Sequence, residues 1–193
     1  MKKIPTLFER VFEGNKVIRV LDKVAPGMEW VLEGKGKATM KVDGACCAII
    51  SGELYKRYDA KAGKQPPEGA IPCCDPDPVT GHWPHWVKCD RNNKGDKWFW
   101  AAYDNAKERG EDLSDWTFEA IGKHFQGNPY NIGYDTLVRH GAVELSVERS
   151  YEGIKKYLET MPMEGIVFYD EDGMPACKIK RKDFGFEWPV RYF

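Results

Sequence analysis

Five side chains in this sequence have the types and the order needed to transfer a nucleotide. Lys41 sits in Lys41-Val42-Asp43-Gly44, inside the apolar run ATMKVDGACCAII. Lysine is seldom buried without a partner. Glu119 lies in TFEAIG, and Glu164 opens MEGIVFY. In CKIKRKDFG the two-residue repeat of a strand sets Lys178 and Lys180 on one face and Ile179 on the other. Neighbouring ammonium groups repel unless an anion lies between them, so this pair points to phosphate. A solvated edge strand is the plainer alternative.

A lysine amine can attack an α-phosphate and form a phosphoramidate. It must first be neutral, although the free side chain titrates near ~10.4. Nearby cations and partial burial favour the neutral form. Lys178, Lys180 and a metal ion would supply those cations, and would steady the charge that spreads as pyrophosphate leaves. Mg²⁺ (or Mn²⁺) takes one or two carboxylates plus phosphate oxygens rather than a full protein cage. Glu164 suits that duty. Glu119 is either a contact for a ribose hydroxyl or a second carboxylate for the metal. Taken alone, the Lys41 tetrapeptide fits equally well a strand ending in a turn, with the ammonium reaching water.

The elements that must hold these residues follow from the pattern. NKVIRVLDKV and GMEWVLEG predict early strands. KATMKVDGACCAIISGELYKRYDAK alternates and predicts a β-meander turned at Gly44 and at Ser51-Gly52. Residues 61–95 are rich in Pro, Gly and Asp and predict a long surface loop. DKWFWAAYDNAKERGE predicts a helix capped by Asp96, and WTFEAIGKHF a strand. SYEGIKKYLETM predicts an amphipathic helix from Ser150, and EGIVFYDEDGMPACKIKRKDF a hairpin turning at Asp170–Gly173. The tail RKDFGFEWPVRYF reads as a packed terminal strand in preference to an RNA-stacking surface. The sum is an α+β chain of mostly antiparallel sheets flanked by helices.

A chain of 193 residues with 42% apolar content suits one domain spanning 1–193. The net charge of −1 gives no global basic field, so any polyanion site must be local. MKKIPTLFERVF is too polar for a signal peptide and no run is long enough to span a bilayer, so a soluble cytoplasmic protein without membrane contact is expected. The six cysteines include two adjacent pairs, a poor disulfide framework. Cys73 or Cys74 with His82, His85 and Cys89 raises a zinc site, set against a plain Pro-rich loop with reduced thiols; the spacing fits no standard finger.

The order KxDG, a Glu-bearing strand, EGIVF and KIKR resembles the covalent nucleotidyltransferase superfamily of ATP-dependent ligases and capping enzymes. KVDGACC, LYKRYD, DPVTGHWPHWV, DKWFWAAY, TFEAIG, GNPY and EGIVFY…KIKRKDFG together resemble the 5′-to-3′ RNA ligase 1 family, from about Trp30 to Phe184. The resemblance implies an ATP-grasp-like adenylyltransferase domain without an OB-fold domain. It implies an ATP-dependent RNA ligase that joins 5′-phosphate and 3′-hydroxyl RNA ends through a lysyl-AMP intermediate; a monomer is expected.

By the same resemblance Lys41 is the adenylylated nucleophile, Glu119 contacts the AMP ribose, Glu164 binds the catalytic metal, and Lys178 and Lys180 hold the α-phosphate. Asp43 and Gly44 would shape the turn after the nucleophile. Cys46 stands where many superfamily members carry arginine, and Arg57 is the candidate replacement on the nucleotide or the incoming 5′-phosphate, a surface ion pair being the alternative. Asn128 and Lys123 are weaker candidates, and no residue stands out as an adenine-stacking partner. Two further readings stay open. One is a DNA ligase or a capping guanylyltransferase, which usually needs an OB-fold domain that does not fit after KIKR. The other is a nucleotide- or RNA-binding module without catalysis. With no extra domain expected to hold RNA ends, either the 61–95 loop with Arg91 and Lys94, and Lys97 beyond it, or a partner is expected to help.

Overall fold

The computed structural model describes residues 4–14 and 16–190. In chain order its strands are β1 (Phe8–Glu13), β2 (Lys16–Val24), β3 (Lys37–Lys41), β4 (Ala45–Ile50), β5 (Glu53–Ala60), β6 (Ile71–Pro72), β7 (Trp83–Lys88), β8 (Trp116–Ile121), β9 (Thr136–Arg139), β10 (Gly165–Tyr169) and β11 (Pro175–Lys180). The helices are α1 (Glu29–Leu32), α2 (Lys97–Glu108) and α3 (Tyr151–Thr160). These strands pair antiparallel throughout, which bears out an α+β chain of antiparallel sheets. Among the described residues no helix is long and apolar enough to cross a membrane. The chain divides into two compact units, a central one over Asp43–His140 and a flanking one made of Ile4–Val42 and Gly141–Phe193.

In the flanking unit β1 and β2 form a two-stranded ribbon, and β11, β10 and β3 a three-stranded sheet in that order. Alternation along β11 buries Cys177 and Ile179 in the core and turns Lys178 and Lys180 to the other face, as expected. α3 lays Ile154 and Leu158, one turn apart, on the same core beside Phe8, Ile166 and Phe168. Ser150 caps this helix, its side chain accepting from Gly153 N–H at 3.0 Å. At the other end Arg181 is buried and donates to the carbonyls of Leu158, Met161 and Glu187.

The central unit is a six-stranded sheet in the order β6-β7-β5-β4-β8-β9. Cys47, Ile49, Phe118, Ala120 and Leu137 pack on Ala102 and Ala106 of α2. The alternate residues of β4 and β8 therefore face away from that core.

Five expectations need correction. The meander is a hairpin of β4 and β5 only, because β3 pairs with β10, more than a hundred residues on. GMEWVLEG contains the one-turn helix α1, with only Val31 buried. The loop at 61–95 is interrupted by β7, whose backbone pairs with β5 from Tyr55–Lys88 to Ala60–Trp83. The Pro84 carbonyl accepts from Cys73 N–H, so its missing N–H also falls on the side of the short β6 and the β5 ladder is spared. The tail forms a short 3₁₀ turn at Arg181–Phe184 and no strand among the described residues; 191–193 lie outside them. Asp96 does stand before α2, yet its carboxylate makes no cap bond there. It is buried and spent instead on Lys56 and on Asp90 N–H.

Candidate active site

In the flanking sheet Gly165 of β10 lies opposite Lys41 of β3 on one side and Lys180 of β11 on the other. A methyl group at Gly165 would meet Ile179 O at 2.2 Å and Lys180 Cα at 2.9 Å, so only glycine allows this approach. Glu164, the residue before it, is thereby set between two lysines. Lys41 Nζ lies 2.5 Å from Glu164 Oε2, and Lys180 Nζ 3.8 Å from Glu164 Oε1. The Glu164 carbonyl accepts from Arg181 N–H at 2.9 Å, which fixes the backbone under the carboxylate.

Lys178 stands two residues before Lys180 on the same face. Its backbone is covered by the preceding segment, for Lys178 N–H donates to Pro5 O and Lys178 O accepts from Leu7 N–H. Burial, then the charges of Lys41, Lys180 and Arg10, push the Lys178 ammonium down to about 8, against the pull of Glu164. Arg10 was not foreseen. It comes from β1, donates to Asp183 Oδ1 at 3.2 Å, and has a buried Nε without a partner among the described residues. Asp183 also accepts from Lys180 N–H at 2.8 Å. Four cations and two carboxylates thus gather on this unit, an arrangement suited to holding a polyphosphate. The only signal for Arg10 in the sequence was a cation within an alternating strand, FERVFE, which many surface strands share.

The other expected residues belong to the central unit. Gly44 has an ordinary negative-φ backbone, so it is not demanded by a turn. A methyl there would meet Ala120 O at 2.3 Å and Glu119 Cγ at 3.0 Å, so Gly44 lets the chain pass close beside Glu119. Asp43 N–H donates to the hydroxyl of Tyr130, from the GNPY stretch, at 2.7 Å. Cys46 pairs with Glu119 across β4 and β8, on the face away from the core. Burial pushes the Cys46 thiol up to about 12; Glu119 adds to this and Arg57 opposes it. Arg57 is exposed on β5, one residue beyond Lys56, the partner of Cys47, and so shares the face of Cys46. Asn128 closes its own loop by exchanging hydrogen bonds with Ile132, and Lys123 is exposed.

A second unforeseen residue is His140. Its Nε2 lies 2.8 Å from Glu119 Oε2 and its Nδ1 2.9 Å from Thr117 Oγ1. No motif announces it, and only the pairing of β8 with β9 brings it to Glu119. The zinc reading of residues 73–89 is not supported. His85 is buried with Nδ1 on Trp83 O, His82 faces Asp59, and Cys89 lies in the core beside Cys47. Their donor atoms do not converge. Among the described residues the one group of three or more His, Cys, Asp or Glu with metal-ligand proximity is Cys46, Glu119 and His140.

Comparison with known proteins adds to this geometry. A family model described as RNA ligase 1 matches residues 106–192. RNA ligase 1 of Danio rerio is 28% identical over a matched span of 225 positions, gaps included, covering 79% of this chain and 68% of that protein. RNA ligase 1 of Pongo abelii is 25% identical over 226 residues with the same coverage. This chain resembles RNA ligase 1. The RNA ligase 1 match over 106–192 takes in Glu119, Glu164, Lys178 and Lys180, and with them His140 and Asp183; Lys41 and Arg10 precede it.

Proposed function

We propose that this chain is an ATP-dependent RNA ligase with a nucleotidyltransferase fold, joining 5′-phosphate to 3′-hydroxyl RNA ends through AMP carried on Lys41. The observation that carries the reading is the meeting of Lys41 and Lys180 on the carboxylate of Glu164, with Lys178 near enough to feel all three charges, in a chain similar to RNA ligase 1. Three in-line displacements at phosphorus account for the reaction. In the first, Lys41 Nζ, having lost a proton, forms an N–P bond to the α-phosphorus of ATP, and pyrophosphate leaves. In the second, an oxygen of the RNA 5′-phosphate takes the AMP, and the N–P bond breaks with return of a proton to Lys41. In the third, the 3′-hydroxyl attacks that 5′-phosphorus, losing its proton as AMP departs.

Lys178 and Lys180 hold the α-phosphate in this reading, with Arg10 beside them. Glu119 accepts a hydrogen bond from the ribose. Arg57 grips the nucleotide or the 5′-phosphate. Glu164 offers a hard carboxylate oxygen next to the phosphate-binding lysines, which fits Mg²⁺ or Mn²⁺. When bound there the ion would neutralise phosphate oxygens. Glu119 shares its surroundings with a thiol and an imidazole, a donor set Mg²⁺ disfavours, so Glu164 is kept as the magnesium carboxylate. With a cation held by Glu164 its pair with Lys41 would loosen, and loss of that carboxylate would favour the neutral, reactive amine.

The test is the intact mass of the protein after incubation with ATP and Mg²⁺. A gain of one AMP is expected, absent in Lys41→Ala. No gain with any nucleotide would end the ligase reading at its first step, and labelling by GTP but not ATP would favour a capping enzyme.

A further inference from the structure

The ligase reading uses the outward face of the six-stranded sheet only through Glu119 and Arg57. Three donor groups meet there, Glu119 with two that it leaves unexplained, Cys46 and His140. One atom each of Cys46, Glu119 and His140 lies within 4.8 Å of the others. Cys46 and Glu119 are direct cross-strand partners, and His140 is held over the same face because its N–H donates to Thr117 O at 3.0 Å. The ring is oriented by two contacts, Nδ1 on the Thr117 hydroxyl and Nε2 toward Glu119. A histidine–glutamate ion pair alone would need no thiol at the facing position.

We propose that Cys46, Glu119 and His140 bind one borderline divalent transition-metal ion, with Zn²⁺ as its representative. Thiolate, imidazole and carboxylate together select Zn²⁺ or Co²⁺ over Mg²⁺. Three protein ligands with a fourth position left to water or substrate make an open site. Tetrahedral bonds of about 2.0–2.3 Å set donor atoms roughly 3.5 Å apart. His140 Nε2 and Glu119 Oε2, now 2.8 Å apart, would open slightly, and the Cys46 thiol, within 4.8 Å of both groups, would close by about 1 Å, both within reach of side-chain rotation. With the metal on Nε2, the Nδ1–H donates to Thr117 Oγ1, which fixes the tautomer. Binding releases the thiol proton to solvent. All three residues keep some exposure, 15% and 12% for the side chains of His140 and Glu119, which leaves an ion a way in, whereas Cys47 is sealed in the core and excluded. The metal site stands independently of the ligase reading. Only one consequence rests on that reading: an ion on Glu119 withdraws it from the ribose.

The experiment is a Co²⁺ titration of the full chain, reduced, stripped with chelator and free of nucleotide. One equivalent should produce a thiolate-to-cobalt band in the near ultraviolet with tetrahedral bands in the visible, and one equivalent of Zn²⁺ should erase both. Cys46→Ser and Cys46→Ala should abolish the band while keeping the wild-type circular dichroism. His140→Ala and Thr117→Val should weaken binding by about tenfold or more. The double variant Cys73→Ser/Cys74→Ser should bind as wild type. A wild-type protein that shows no band at millimolar Co²⁺, or a band that survives in the Cys46 variants, overturns the proposal. Lysyl-AMP is not measured at any stage, so failure of the ligase reading leaves this result untouched.

Discussion

The amine of Lys41 lies 2.5 Å from Oε2 of Glu164, so the proposed nucleophile and the proposed metal carboxylate are one ion pair. Side-chain exposures of 22% and 14% put the pair at the edge of the core, where charge is costly unless matched. Lys180 approaches the other carboxylate oxygen at 3.8 Å. Glu164 is thus shared, and whatever takes it away leaves two lysines facing an anion.

Removing that carboxylate should cripple the first chemical step. For Glu164→Ala the expected fall in lysyl-AMP formation is on the order of 100-fold at low Mg²⁺. Mass spectrometry across a magnesium series measures it. Labelling equal to wild type at low Mg²⁺ would take Glu164 out of the metal site.

Lys178 should leave a signature in alkaline stability. Its folded pKa, about 8, lies below the free value of ~10.4, so between these the unfolded chain binds more protons. The strain of burying this charge is present at neutral pH and relieved as pH rises from about 8 toward 10.5. Urea midpoints of wild type and Lys178→Met, compared at pH 7 and pH 10, should move in favour of wild type at the higher pH. Parallel behaviour of the two proteins would contradict the buried cation.

Gly165→Ala forces a methyl into the Ile179 carbonyl at 2.2 Å. A loss of about 1–3 kcal/mol is expected from overpacking, with β10 and β11 pushed apart. Denaturant unfolding reads it directly, and an unchanged midpoint would mean that the strands are not this close.

Gly44→Ala tests the other close approach. The added methyl meets Ala120 O at 2.3 Å and Glu119 Cγ at 3.0 Å. Lower stability, by about 1–3 kcal/mol, and reduced AMP labelling should appear together. A variant with both properties intact would show that Glu119 does not depend on the glycine.

The segments bounded by clear caps and turns were legible in the sequence, and strand pairings distant along the chain were not. The β4–β5 hairpin was legible because Ser51-Gly52 stands between two alternating runs, with positive φ at both residues. α3 was legible from Ser150 and the spacing of Ile154 and Leu158. Gly44 misled because a glycine after a strand looks like a turn, whereas here it answers a tight contact with β8. β7 was hidden by Pro84 and by the polar residues around it. The gathering of Lys41, Glu164, Lys178 and Lys180 was foreseen as chemistry, from motif order. Arg10 and His140 were not, since each joins its group through tertiary pairing alone. Cys46 and Cys47 look alike in sequence, yet strand alternation sends one to the core and the other to Glu119.

The basic run Lys178–Lys182 holds charges of unequal availability. Arg181, between Lys180 and Lys182, is 7% exposed and donates to the carbonyls of Leu158, Met161 and Glu187. It serves as a clamp on the end of α3 and never meets an anion from solvent. Alanine scanning of the run by activity alone would therefore merge two unrelated phenotypes. Loss at Lys178 or Lys180 would be a failure of phosphate binding in a folded protein, and loss at Arg181 a shortage of folded protein whose surviving molecules turn over normally. Normalising each rate to the folded fraction separates the electrostatics of the reaction from the mechanics of the scaffold.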